Sequence, residues 1–191
     1  MKKITAIIMV LLFMFTAGCS EAKPVEYMSK DESYAITLTD EWENAEGLLN
    51  SGALFEFINK KEGIYFVVIP YPAELFPTLA DFVVNIKESV PQWYPDCDVK
   101  EPTAYKYDEL TYYKLYATQN NTEDGLAFKF NMSYDTNNYL LSISYTDNAD
   151  DYTKRLEQTE AIVHSLVDQN PVVVDPSLNM NGENPNDPNM N

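Results

Sequence analysis

The stretch that most constrains the fold is a pair of alternating runs joined by a turn. Gly125 to Tyr134 places Phe128, Phe130, Met132 and Tyr134 on one side and Ala127, Lys129, Asn131 and Ser133 on the other. Tyr139, Leu141, Ile143 and Tyr145 alternate in the same way against Leu140, Ser142, Ser144 and Thr146. Between the runs, Asp135-Thr136-Asn137-Asn138 is made of turn formers. A period of two sends successive side chains to opposite faces of a sheet. The segment therefore reads as a long antiparallel hairpin.

Other runs extend this sheet. Tyr34-Ala35-Ile36-Thr37-Leu38 alternates, with Trp42 just beyond a turn at Thr39-Asp40. Ala53 to Ile58 and Ile64 to Ile69 are β-rich and are joined by Asn59-Lys60-Lys61-Glu62-Gly63, a hairpin-like connection. Strands resume at Tyr105, and Leu110 to Thr118 is aromatic and β-branched. Two segments have a helical period instead. Thr78, with Asp81 three residues on, predicts a capped start. Leu79, Phe82, Val83, Ile86 and Val90 then form one stripe, with Pro91 and Pro95 expected to end the helix. A last helix is expected from about Asp150, with Tyr152, Leu156, Ile162, Val163 and Leu166 on its apolar side. Antiparallel hairpins interrupted by one helix and closed by another predict an α+β domain over 33–168, its two helices laid on the sheet.

The N-terminus carries an address. Met1-Lys2-Lys3 is basic, Ile4 to Phe15 is almost wholly apolar, and Thr16-Ala17-Gly18-Cys19 follows. This is the layout of a secretory signal, and its apolar run is short of the ~20 residues a spanning helix needs. The stretch ending at Cys19 resembles the lipobox of bacterial lipoproteins, with Thr16 where leucine is usual. The expectation is a signal peptide over 1–18, lipidation of Cys19 and anchoring at the extracytoplasmic face of the cell membrane. Residues 19–32 are then a tether. Residues 169–191, rich in Asn and Pro, are read as a disordered tail.

Charge narrows the partners. Removing Lys2 and Lys3 with the signal takes the net charge from -17 to -19. This balance argues against nucleic acid, since phosphate rewards basic surfaces, and against lying flat on anionic lipid. A partner in the envelope, held at a membrane by the lipid anchor, remains.

Few residues of the chain fall into a pattern that carries chemistry. His164 is the one histidine in the chain and falls near the end of the last helix, where the helix dipole suits it. Cys97, between Asp96 and Asp98, is disfavoured as a thiolate. Neither a nucleophile elbow nor a glycine-rich phosphate loop occurs. Asn120-x-Thr122-x-Asp124-Gly125 starts like a calcium loop, but the twelfth position holds Asn131 rather than a bidentate carboxylate. Asp147, Asp150 and Asp151 precede a helix and read as its cap. No catalytic residue, metal site or cofactor is expected. The most suggestive feature is tyrosine: Tyr112, Tyr113, Tyr116 and Tyr139 are the candidate binding surface, because tyrosine offers contact area with a polar tip.

The strand running Tyr34-Ala-Ile-Thr-Leu-Thr-Asp-Glu-Trp42, the helix after Phe76-Pro77-Thr78, and the closing Ile162-Val163-His164-Ser165-Leu166 together resemble the PsbP/Mog1-like superfamily, including bacterial PsbP-related lipoproteins. The resemblance covers roughly Ser33 to Val167. It implies an α/β/α sandwich around an antiparallel sheet, and scaffolding or assembly roles rather than one chemistry. No local motif is specific enough to carry over a ligand site. The function expected is a non-enzymatic binding or accessory lipoprotein. The alternative is a small-molecule or cation-binding receptor of an uptake system.

Labelled palmitate should be incorporated by the full chain and lost in Cys19→Ala. Incorporation that survives the substitution would refute lipidation at this cysteine.

Overall fold

The computed structural model describes residues 22–119, 125–135, 137–147 and 151–170. The signal peptide, Cys19 and the tail from 171 onward lie outside the described residues, as do Asn120 to Asp124 of the calcium-like loop and Asp150. In chain order the elements are β1 (Pro24–Met28), β2 (Tyr34–Thr39), β3 (Glu43–Asn44), β4 (Phe55–Asn59), β5 (Ile64–Pro72), α1 (Leu79–Trp93), β6 (Cys97–Val99), β7 (Thr103–Tyr107), β8 (Leu110–Gln119), β9 (Leu126–Tyr134), β10 (Asn138–Thr146), α2 (Tyr152–Glu157), α3 (Glu160–His164) and β11 (Val167–Asp168).

The predicted hairpin is the centre of the sheet. β9 and β10 pair antiparallel with Tyr134 opposite Tyr139 and Phe130 opposite Ile143. Asp135 closes the turn, its Oδ1 accepting from the Asn137 N–H at 2.7 Å and the Asn138 N–H at 2.6 Å, an Asx turn. Around this pair an eight-stranded sheet runs β3-β4-β5-β10-β9-β8-β6, with β7 also on β8. A second sheet has the order β1-β2-β11.

One face of the large sheet takes α1. Phe82, Val83, Ile86 and Val90 pack on Leu115, Phe128, Phe130, Met132, Leu141 and Ile143, as the helical stripe predicts. Thr78 caps the helix by accepting from the Asp81 N–H at 3.2 Å, an interaction that stabilises a helix by about 1 kcal/mol. The helix does not stop at Pro91. It continues to Trp93, with the Tyr94 N–H bonded to the Val90 carbonyl at 2.8 Å. Proline keeps a helical φ, so one in the last turn removes a single donor without ending the helix.

The other face carries α2, α3 and the small sheet. Ile36 and Leu38 of β2, Leu156 of α2 and Ile162 and Val163 of α3 share a core with Phe57, Phe66 and Val68. This is the α/β/α layering around an antiparallel sheet, with the third layer shared between helices and strands. The single closing helix expected from about Asp150 is instead two short ones. Thr159 lies between them and donates its hydroxyl to the Leu156 carbonyl at 2.7 Å while accepting from Ser144 at 2.8 Å. This bonding draws the chain onto the sheet at the break. Nor does Asp151 cap α2, for it has a left-handed φ of 51° and makes no side-chain cap bond.

The tether expected over 19–32 contains β1, in which Val25 opposes Leu38 and Tyr27 opposes Ile36. At the far end the chain stays paired beyond Asp168, the Gln169 N–H donating to the Ser33 carbonyl at 2.8 Å. Phe82 is fully buried, so Phe82→Ala should cost about 3–5 kcal/mol in denaturant unfolding. A loss below about 1 kcal/mol would contradict this packing.

Candidate functional site

Strand direction gives the domain two ends. The chain enters at Lys23, whose N–H donates to Asp40 Oδ1 at 3.1 Å. The hairpin after β4 lies at the same end, where Lys60 pairs with Glu43 at 2.5 Å and Lys61 with Glu41 at 2.9 Å. At the other end, β7 turns into β8, β9 turns into β10, and α3 runs out into β11. A strand of the length of β10 spans about 30 Å at ~3.3 Å per residue.

That second end holds a cleft of about 240 Å³. Its floor is apolar: Tyr34, Tyr112, Leu140 and Val163. Its rim is Leu110, Tyr134 and Val167, which are 47%, 41% and 52% exposed, respectively. Three chain reversals bring these together. Asp108, at φ 50°, makes the tight turn before Leu110. Asp135 sets the hairpin beside Tyr134. Val167 is held by pairing with Ala35 of β2. The charged residues in the lining are Asp135 and Asp168, with no lysine or arginine. Asp135 Oδ2 accepts from the Tyr34 hydroxyl at 2.6 Å. Burial, with Asp135 second, pushes the Tyr34 phenol far above its ordinary value. A second cleft of about 250 Å³ adjoins, sharing Tyr34 and Asp168 and adding Asp31. The hydroxyls of Ser33 and Ser29 hold the Asp31 carboxyl at about 2, so it is anionic at any physiological pH. A third cleft, of about 300 Å³, lies between β1 and β4. Its buried Glu56 is already engaged, accepting from the Leu49 and Asn50 N–H groups at 2.8 and 3.0 Å.

The four tyrosines expected to form a surface do not form one. Tyr112 and Tyr139 are buried. Tyr112 packs in the core under β2 and α3. Tyr139 packs against Phe82 on the opposite face and donates to the Phe76 carbonyl at 3.0 Å. Tyr113 is half-buried on the α1 side. Tyr116 is half-buried on the other, its hydroxyl bonded to Glu157. Period-two alternation is the reason: adjacent residues of one strand cannot share a face.

The polar side of β9 is the second feature that the sequence hid. Lys129 is fully buried beneath α2 and α3. Its Nζ lies 3.4 Å from Glu157 Oε2 and 3.3 Å from Glu160 Oε1. Lys114 reaches the same two carboxylates at 3.2 and 2.9 Å. Burial pushes the Lys129 ammonium below its ordinary value, partly offset by Glu160 and Glu157. Burial also raises the Glu157 carboxyl, but the Tyr116 hydroxyl and the lysines outweigh it and leave it at about 2. Next to this cluster, His164 stacks on Tyr107 with ring centroids 3.8 Å apart, and its Nε2 sits 3.3 Å from the Tyr105 hydroxyl. Burial lowers the imidazole's pKa. Each charge is met by another within the chain, and none of the three clefts is lined by Lys129, Glu157 or Glu160. The cluster therefore joins helices to sheet. Cys97 is a free thiol raised by burial and then by Asp96, and among the described residues no group of three metal-ligating side chains converges.

No protein-family model and no curated protein sequence matches the chain. The fold does match solved structures. It is similar to CyanoP, the cyanobacterial PsbP of Synechocystis sp., at TM-score 0.53 and 15% identity, over 81% of this chain and 98% of that one. It is also similar to the Ran-binding protein Mog1p of Saccharomyces cerevisiae, at TM-score 0.55 and 8% identity, over 76% of this chain and 95% of that one. A Mog1 variant gives TM-score 0.56 at 9% identity, over 82% and 98%. The domain thus has the PsbP/Mog1 fold expected from the sequence.

The ion cluster makes a pH prediction. Glu157 sits at about 2 in the folded chain against an ordinary 4.5. Its contribution to stability is present above the unfolded value and is lost as pH falls from 4.5 towards 2. Unfolding free energy of the wild-type protein should fall across that window, and in Glu157→Gln this fall should be shallower. Equal slopes in the two proteins would show that the cluster is not ionised as described.

Proposed function

We propose that the chain is a lipoprotein anchored through Cys19 at the outer face of the cell membrane, where it serves as a non-enzymatic binding module for a protein of the envelope. The observation that carries this reading is the position of the apolar cleft. It lies at the end of the strands opposite Lys23, where the chain enters the fold. A domain held by its entry end presents such a cleft away from the lipid. The fold also serves a protein described as Ran-binding in yeast, so docking another protein is within its range. Small-molecule reception is less well supported. The two clefts at this end, of about 240 and 250 Å³, fall below the roughly 300–1,000 Å³ of ligand pockets, and the third, of about 300 Å³, reaches only the lower limit and has its buried carboxylate Glu56 already bonded to backbone N–H groups. They fit the side chains of a partner better than a whole metabolite.

Photo-crosslinking in cells tests the reading. A photoreactive residue replacing Leu110 should give protein adducts in the membrane fraction. One replacing Val84, exposed on α1, should not. Adding Cys19→Ala should release the labelled chain from the membranes. Equal adducts at both positions, or membrane retention without Cys19, would overturn it.

A further inference from the structure

We infer that the cleft between Leu110, Tyr134 and Val167 takes one apolar side chain of a partner polypeptide, flanked in that partner by lysine or arginine. The inference rests on the proposed binding role and names the chemistry of what is bound. Size comes first. A space of about 240 Å³ walled by Tyr34, Tyr112, Leu140 and Val163 suits a single leucine- or phenylalanine-sized anchor, the kind of group that dominates protein interfaces. The rim supplies further apolar contact, since Leu110 and Val167 are both about half exposed.

Charge then selects the flanks. Asp135 and Asp168 line the cleft, and exposed Asp108 and Glu109 form the turn immediately before Leu110. Two acids therefore line an apolar depression that has no cation in its lining, and two more stand in the turn next to its rim residue Leu110. Potential of one sign around such a depression steers and selects a partner of the other sign.

The same charges argue against other occupants. A second copy docking through a two-fold axis would set these acids against themselves. The chain's own residues 171–191 carry Asp175, Glu183 and Asp187 and no lysine or arginine, so they too are repelled. An anionic lipid surface is repelled for the same reason.

The test uses the purified full-length chain and an array of nonapeptides. Each peptide carries a central Leu, Phe or Ala flanked by Lys, Gln or Glu. Lysine-flanked leucine and phenylalanine peptides should bind at least about tenfold more tightly than the glutamate-flanked or alanine-centred ones. Their advantage over glutamine-flanked peptides should shrink as salt is raised. Leu110→Ala with Val167→Ala should weaken all leucine and phenylalanine peptides. Asp108→Asn, Glu109→Gln and Asp168→Asn together should bring lysine-flanked peptides down to the affinity of glutamine-flanked ones measured on the same variant. The salt dependence is read on the wild-type protein and does not rely on any variant folding.

No binding across the array, or binding indifferent to flank and centre, would overturn the inference. So would binding that appears only after residues 171–191 are removed, which would assign the cleft to the chain's own tail. A dimer lost in the Val167→Ala variant would assign it to a second copy and overturn it as well. None of these readouts needs the lipid anchor. Failure here with palmitate labelling intact would leave the lipoprotein reading standing, and loss of labelling with peptide selectivity intact would leave the cleft assignment standing.

Discussion

Both faces of the β9–β10 pair are covered, and the rest of the structure follows from how the polar one is satisfied. One face is apolar and takes α1. The other carries Lys129, Asn131, Ser142 and Ser144, all buried. A buried ammonium is costly unless it is paired. Glu157 and Glu160 must therefore come down from above, and they come from different helices. Ser144 takes Thr159 between them. The position of α2 and α3 is in this way fixed by hydrogen bonds and ion pairs as well as by Leu156, Ile162 and Val163. Removing one partner of such a pair typically costs 3–5 kcal/mol, roughly what a large core truncation costs. The fixed helices in turn deliver Val163 and Val167 to the cleft. One polar nitrogen, Asn131 Nδ2, stays buried without a partner among the described residues, although its Oδ1 lies 3.4 Å from the Tyr105 hydroxyl.

How legible each part was depended on whether its cause was local. The α1 stripe, its Thr78 cap and the two long hairpins are periodic and self-contained, and a single sequence records such patterns well. β1, β6 and β11 are short edge elements, and pairing rather than propensity makes them strands. Tyr27, half-buried in β1, packs edge-on against Phe57 with ring centroids 4.8 Å apart, a long-range contact that no local signal announces. The break at Thr159 is likewise tertiary, because its hydroxyl is drawn to Ser144 of β10. The tyrosines misled for a different reason. Their abundance in β8 is real, but Tyr112 and Tyr116 point to one face while Tyr113 points to the other. Composition suggested a surface, whereas the pleat divided it between two cores.

The cleft could not be read from sequence because its residues come from separate stretches. Tyr34, Leu110, Tyr134 and Val167 lie far apart in the chain and meet only through register. Its acidic character was half visible, since the whole chain is acidic, but an average charge says nothing about where a lining lacks cations. A catalytic motif shows itself in sequence by reacting groups at fixed, short spacing. A docking depression has none, and its signal is shape with charge of one sign.

Geometry ties the cleft to the proposed anchor. With β1 starting at Pro24, only the four residues Ser20 to Lys23 lie between Cys19, the position proposed for lipidation, and the fold, five steps of chain in all. Fully extended, at ~3.3–3.6 Å each, they span at most about 18 Å. In the anchored state that places the entry end close to the lipid. The acidic surface is repelled by anionic headgroups, which disfavours lying down and favours standing on the short linker. Lys60 and Lys61 sit at the entry end, each paired with a glutamate, so the hairpin there is less acidic than the far rim. Pro24 pairs with Thr39, five residues along β2 from Tyr34 in the cleft wall, so under the proposed anchoring the cleft would stand about 17 Å farther from the lipid than the entry point, at ~3.3 Å per residue. A longer linker would let the domain tumble and lose this orientation. If the proposed anchoring holds, folding residues 24–28 into β1 is what would turn a tethered domain into a directed one.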